Sequence, residues 1–351
     1  MPSKLIPALV FGAFASAASA QSSVTLGGIV DAWVGQTRHK VGVNPPGTGY
    51  VVDSGGAQAS RWSLRGTEDL GDGLKASFVL EQGFALDSGT VSTVSASNVG
   101  FNRGAYLGVS GDFGDVRLGR MLGAFDALRG STNHLYDSSG FASTGQVWGA
   151  GATAANGLPA VTGTDYLARG NNTVMYITPA LGIFSGSVSF SANEGASTAT
   201  ESPRTISAHG KVTQGPLRVG YSYQAEAYTT GKNKFHLVAG NYNFGPVNMV
   251  GAFQRQIDER IAGHQTSNEW ELGLDAPFGL ATVAIGYASA KTENSAGRKV
   301  VDAHGLSLMA TYDISKRTRL YTAFRQLKTA RADGSTSLDA SRLGFGVTHR
   351  F

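Results

Sequence analysis

Hydrophobic and polar residues trade places one by one along much of this chain. The closing stretch shows it most plainly. Leu343, Phe345, Val347, His349 and Phe351 share one side of a two-residue period, and Arg342, Gly344, Gly346, Thr348 and Arg350 share the other. A strand with one apolar face and no polar tail makes a poor open edge, because unpaired strands aggregate. The pattern predicts that this strand closes a sheet against the first one, with Phe351 at the closure and the apolar face against lipid.

The same period recurs upstream. A first strand is expected over 24–40, with Leu26, Gly28, Val30, Ala32 and Val34 opposed to Thr25, Ile29, Asp31 and Trp33. A second is expected over 58–68, where Trp62 and Leu64 alternate with Arg61, Ser63 and Arg65. A third, over 74–86, sets Leu74, Ala76, Phe78, Leu80 and Phe84 against Lys75, Ser77, Val79 and Glu81. Two later examples are Leu217–Tyr223 and Ala281–Tyr287.

Turn residues divide these strands into two classes of connection. Seven are short and rich in Gly or Pro: 69–73, 111–115, 179–182, 214–216, 243–246, 277–279 and 314–318. Eight are longer: 41–57, 87–98, 123–168, 194–203, 229–233, 257–267, 292–302 and 328–340. Seven plus eight connections join sixteen strands. An even number of strands of about ten residues, joined alternately by short and long segments, predicts an all-β, 16-stranded antiparallel transmembrane barrel. A soluble sandwich or propeller also alternates, but neither needs one wet face on nearly every strand. The longest connection, 121–168, holds Asp126, Asp137 and Asp165. It reads either as a solvated external loop or as a segment folded into the aqueous lumen of a barrel this wide.

Composition narrows the choice. Charged residues are 15% of the 351, with 48 Gly and a formal charge of +4. A mean hydropathy of −0.09 excludes a bundle of transmembrane helices. No block of Lys and Arg suggests nucleic acid. Residues 1–20 read as a cleaved signal peptide: Lys4, an apolar run over 5–18, then Ala18-Ser19-Ala20. The mature barrel would occupy 21–351. The lack of cysteine suits export through an oxidising compartment.

Several stretches resemble the general porins of Gram-negative outer membranes, in particular the betaproteobacterial type. They are Ser23-Val-Thr-Leu-Gly-Gly-Ile-Val-Asp-Ala32, Ser60-Arg-Trp-Ser-Leu-Arg-Gly-Thr-Glu-Asp-Leu-Gly-Asp-Gly-Leu-Lys-Ala76, Leu80-Glu-Gln-Gly-Phe84, Arg103-Gly-Ala-Tyr-Leu-Gly-Val-Ser-Gly-Asp-Phe-Gly114, Leu118-Gly-Arg120 and His349-Arg-Phe351. The resemblance implies a homotrimer in the outer membrane, among its lipid and lipopolysaccharide. It also implies a third external loop folded into the lumen, and passive diffusion of small hydrophilic solutes and inorganic ions. It further implies a constriction where wall arginines face loop acids. Its positions fall on Arg61, Arg103 and Arg169, with Glu81 on the wall and Asp126 on the loop. Alternation alone turns Arg61 and Glu81 inward. Arg103 shares parity with Leu107 and Val109, so it needs a bulge near Gly104. Two features depart from the family: Gly27 stands where an aromatic is common, and an insertion of roughly 145–164 lacks the usual acidic cluster.

The inward faces are expected to carry Arg61, Arg65, Lys75, Arg117, Arg169, Lys211, Arg218, Arg342 and Arg350 against Asp31, Glu81 and the loop acids. Selectivity follows such a local balance, so anions are expected to be preferred. No catalytic activity, metal or cofactor is expected. The histidines make no H-E-x-x-H spacing, Gly108-Val-Ser-Gly111 is not a nucleophile elbow, and Gly111-Asp-Phe-Gly114 lacks the Lys-Ser/Thr of a phosphate loop. Phe244, Phe278 and Tyr312 beside short turns suggest an aromatic girdle. Alternative readings are a solute-specific channel, hinted at by Trp148 and Tyr166, or a barrel enzyme or adhesin.

Overall fold

A computed structural model describes residues 23–42, 45–91, 100–132, 147–148, 166–192, 203–332 and 337–351. The expected signal peptide lies outside them, as does most of 121–168. The strands are β1 (Ser23–Val41), β2 (Gly47–Ser54), β3 (Arg61–Gly71), β4 (Leu74–Gly83), β5 (Gly104–Gly111), β6 (Gly114–Leu122), β7 (Arg169–Ile177), β8 (Phe184–Ser191) and β9 (Arg204–Gln214). They continue as β10 (Leu217–Tyr228), β11 (Gly231–Asn243), β12 (Asn248–Asp258), β13 (Gln265–Phe278), β14 (Ala281–Asn294), β15 (Lys299–Asp313), β16 (Thr318–Arg331) and β17 (Ser337–Arg350). One helix, α1 (Ala124–Thr132), follows β6.

The strands form one closed, sixteen-stave antiparallel barrel. β1 runs along β17 from Ile29↔Arg350 to Val41↔Leu338. Phe351 extends the seam by exchanging backbone hydrogen bonds with Gly28, at 3.1 and 3.2 Å. Gly28 makes room for the terminal ring: a Cβ there would lie 2.5 Å from Phe351 Cζ. The outer face carries the apolar set read from the sequence, including Leu343, Phe345 (62% exposed) and Val347. That band faces lipid, which accepts apolar side chains but no unpaired backbone. Phe244, Phe278 and Tyr312 are also exposed there, beside the short turns.

The second stave is broken in two. β2 pairs with the upper half of β1 (Ala32↔Ser54 to His39↔Gly47), and β3 with its lower half (Ser23↔Thr67 to Ile29↔Arg61). Residues 41–57 are therefore not simply a loop. Tyr50 and Val52 point outward and exposed, continuing the period across what the glycines disguise as a connection. Between the two halves, 55–60 leaves the sheet and turns inward over Asp31. Gly56 sits so close there that a Cβ would be 2.2 Å from Tyr321 Oη.

The seven short turns fall where expected. Some external connections are shorter than predicted, because pairing continues beyond the expected strand ends. Only Thr229 and Thr230 join β10 to β11, whose last rung is Tyr228↔Gly231.

The barrel also contains a core. α1 lies inside it, against β8 to β12. Phe125 and Leu128 of α1, with Val147, Trp148 and Tyr166, pack on Phe235, Leu237 and Ala239 of β11 and on alanines and valine of β14 and β15. Phe125, Tyr166 and Phe235 meet edge to face, with centroids 4.8 to 6.0 Å apart. Burying each such side chain contributes about 1.5–3 kcal/mol. The described parts of the third long connection thus lie inside the barrel, held by these hydrophobic contacts.

Candidate functional site: the charged inner wall

The inner face of β3 and β4 carries Arg61, Arg65 and Glu81, as a two-residue period requires. Glu81 collects three guanidinium groups. Arg103 Nε donates to Oε1 at 2.8 Å, Arg65 Nη2 to Oε2 at 3.0 Å, and Arg61 Nε lies 4.0 Å from Oε1. Three cations on one carboxylate leave the cluster with a charge of +2 (3 − 1).

Arg103 arrives by a route the sequence did not indicate. The β4–β5 ladder starts at Glu81↔Gly104 with no register shift, so there is no bulge at Gly104. Instead the chain bends just before the strand. Asn102 Oδ1 accepts the Gly83 N–H at 2.8 Å, replacing a ladder bond, and Arg103 swings inward. Arg169, at the start of β7, donates from Nε to the Arg103 carbonyl at 3.0 Å.

Arg120 joins the group unforeseen. It shares parity with Leu118, which faces outward. Gly119 breaks the phase with φ of +136°, a conformation costly for any residue with a Cβ. The β6–β7 register shifts there, and Arg120 Nε reaches the Asn102 carbonyl at 2.9 Å. The glycine was the available signal.

Asp126 projects from the first turn of α1 and accepts a hydrogen bond from Tyr166 Oη at 2.6 Å. Its charge reaches Arg169, as do those of Glu81, Arg103 and Arg120. Arg61 joins the same neighbourhood through Glu81, 4.0 Å away. The backbone that presents Asp126 is pinned to the wall: Ala124 N donates to Ser189 Oγ at 3.1 Å, Phe125 N to Ser207 Oγ at 3.4 Å, and His209 Nδ1 lies 2.8 Å from the Ala124 carbonyl. Serines are short enough to let helix backbone approach a strand.

Two expectations need correction. Asp31 points inward but does not line water. It is fully buried, accepting from Gly56 N (2.8 Å), Gln58 N (2.9 Å), Tyr321 Oη (2.7 Å) and Thr348 Oγ1 (2.6 Å). Its carboxylate ties 55–60 to β1, β16 and β17, satisfying donors that burial would otherwise strand. Trp148 and Tyr166 form no aromatic track either. Both are buried between loop and wall, and Trp148 carries Arg129 at 3.9 Å from its ring centroid, beside Glu271. Lys75 stays exposed next to the Asp72-Gly73 turn, away from Glu81.

A closed barrel with an apolar outer band, a charged inner wall and a segment folded inside is the architecture of an outer-membrane diffusion channel. The comparisons agree. Residues 8–332 match the profile of the Gram-negative porins, and the chain belongs to that family. Outer membrane porin protein 32 of Delftia acidovorans is 34% identical over 97% of this chain and 92% of its own length. An outer membrane porin of Bordetella pertussis is 29% identical across 100% of both chains. Among solved structures, an anion-selective porin from Comamonas acidovorans superposes with a TM-score of 0.74 at 29% identity, covering 94% of this chain and 100% of that one. The protein is an outer-membrane porin, a channel that passes small solutes and ions.

Proposed function

We propose that the channel is a general diffusion pore that prefers anions, with Arg61, Arg103 and Arg169 on the wall facing Glu81 and Asp126 at the constriction. Arg65 and Lys75 extend the basic lining. The carrying observation is the occupancy of Glu81: its oxygens are shared among three arginines, so the field they project into the lumen is net positive. Asp126, bonded to Tyr166, offsets only part of it. The Comamonas porin bears the description anion-selective, in keeping with this reading.

The test is the zero-current potential of the protein in a planar bilayer under a KCl gradient. A difference of about 1.4 kcal/mol between the ions gives tenfold selectivity. A potential of the sign set by chloride is expected, and one set by potassium would end the reading. Neutral sugars of graded size should enter proteoliposomes without saturation.

The reading assigns no catalytic step. Arg61, Arg65 and Arg103 pair with Glu81, not a nucleophile with a base. It also takes residues 1–20 as removed on export, leaving Gln21 as the first residue of the mature chain. The barrel would assemble as a homotrimer, with lipopolysaccharide around its outer surface.

A further inference from the structure

Beside the arginines, the inner wall carries an apolar strip. β4 turns Val79 inward, β5 Tyr106, and β7 Met175 and Ile177, since their neighbours Leu107, Val174 and Tyr176 face outward. Water gives such side chains nothing to bury against, and barrel interiors of this width are ordinarily polar. These residues do not share one rung: Val79 and Tyr106 do, while Met175 and Ile177 lie on rungs two and four residues nearer the short turns. Val79 stands opposite Tyr106, and Met175 opposite Arg117. Ile177 is followed across two strands by Ser187 and His209. Val79, Tyr106 and Ile177 remain half-buried, while Met175 backs them.

All four line one recess of about 520 Å³, which the arginine cluster bounds on one side and Arg117 and Lys211 on the other. That volume suits a small organic ligand. The two basic residues differ. Arg117 is held by Asp115 at 2.7 Å and lies over the Tyr106 ring at 5.1 Å. Lys211 has no hydrogen-bonded or ion-paired partner among the described residues.

We propose that this recess is a transit subsite for organic anions with an apolar or aromatic body, aryl carboxylates above all. The carboxylate sits at Lys211 and the ring lies against Ile177, with Tyr106 beyond it. The inference rests on the anion-preferring reading and specifies which anions gain. A ring covers apolar wall that chloride or a short carboxylate leaves wet, so two anions of equal charge are held unequally.

The probes are benzoate and acetate, added to the full chain in planar bilayers carrying chloride current. Benzoate is expected to reduce the chloride current saturably, at a half-effect concentration at least fivefold below that of acetate. Ile177→Ser should shrink that ratio several-fold. Tyr106→Ser should shrink it too and serves if the first variant fails to fold. Lys211→Gln should weaken both anions together and leave the ratio standing. An anion-preferring channel that treats benzoate and acetate alike, or whose ratio survives both apolar-strip substitutions, would overturn the subsite and leave the broader reading intact. Cation preference in the unaltered protein would overturn both.

Discussion

The two halves of the inner wall solve opposite problems. From β3 to β7 the inward positions carry Arg61, Arg65, Glu81, Arg117 and Arg169, and they stay in contact with water. From β10 to β16 the inward positions include Phe235, Leu237, Ala288, Ala303 and Leu327, and α1 with Val147, Trp148 and Tyr166 covers them. Buried acids lie under that cover: Glu226 accepts from Leu167 N at 2.7 Å, and Glu269 from Gln254 at 2.7 Å. One half faces the channel contents, while the other is a protein core that happens to lie inside a barrel. Ion choice and loop position can therefore be altered separately, each by substitutions in its own half.

The largest effect is expected on the open half. Arg103→Glu would set a second carboxylate beside Glu81 and change the local sum from +2 to 0. The zero-current potential should shift toward potassium by more than tenfold in permeability ratio. A shift of similar size from a charge change at Arg129, which pairs with Glu271 at 3.8 Å on the covered half, would blur the distinction between the halves.

On the covered half, Phe125→Ala and Trp148→Ala each remove a fully buried aromatic. A cost of about 3–5 kcal/mol is expected for truncating such a side chain. The loop should loosen from the wall, read as larger and noisier single-channel currents. Ion preference should change far less than in Arg103→Glu.

Next in size is Asp31→Ala, which belongs to neither half. It leaves three backbone N–H groups and two hydroxyls without their acceptor. About 3 kcal/mol or more of destabilisation follows, since unmade buried bonds cost about 1–3 kcal/mol each. A lowered unfolding temperature in detergent would register it, with conductance nearly constant.

Arg65→Gln should do least. The Arg65 side chain is 58% exposed, and screened pairs of this kind contribute about 1 kcal/mol or less. Only a small drop in anion preference is expected in the bilayer measurement.

Much of this was legible in the sequence, and the reason is physical. A transmembrane strand must show lipid one face and the lumen the other, so the two-residue period survives in Leu217–Tyr223, Ala281–Tyr287 and Leu343–Phe351. Arg61 and Glu81 were readable from that period alone. What failed were the positions where the period is broken. Arg103 turns in at a bend held by Asn102, and Arg120 at the left-handed Gly119. The inner core was hidden for the opposite reason. Phe235-His-Leu-Val-Ala239 is apolar on both faces, and alternation cannot say that a distant loop will cover the inner one. Asp31 illustrates a third limit. A carboxylate on an inward face meets water or donors according to what lies over it, and here the path of 55–60 brings three of its five donors.

Whether the loop lies seated in the barrel is the point on which the two-halves picture turns. The chain has no cysteine, so a pair introduced as Ala124→Cys and Ser189→Cys would be its only thiols. Those residues touch in the structure, with Ala124 N 3.1 Å from Ser189 Oγ. Oxidation should form the disulfide readily and leave single-channel conductance unchanged, because it fixes the loop where it already rests. A pair that fails to close, or a conductance that changes when it does, would contradict a loop held in place by its own core.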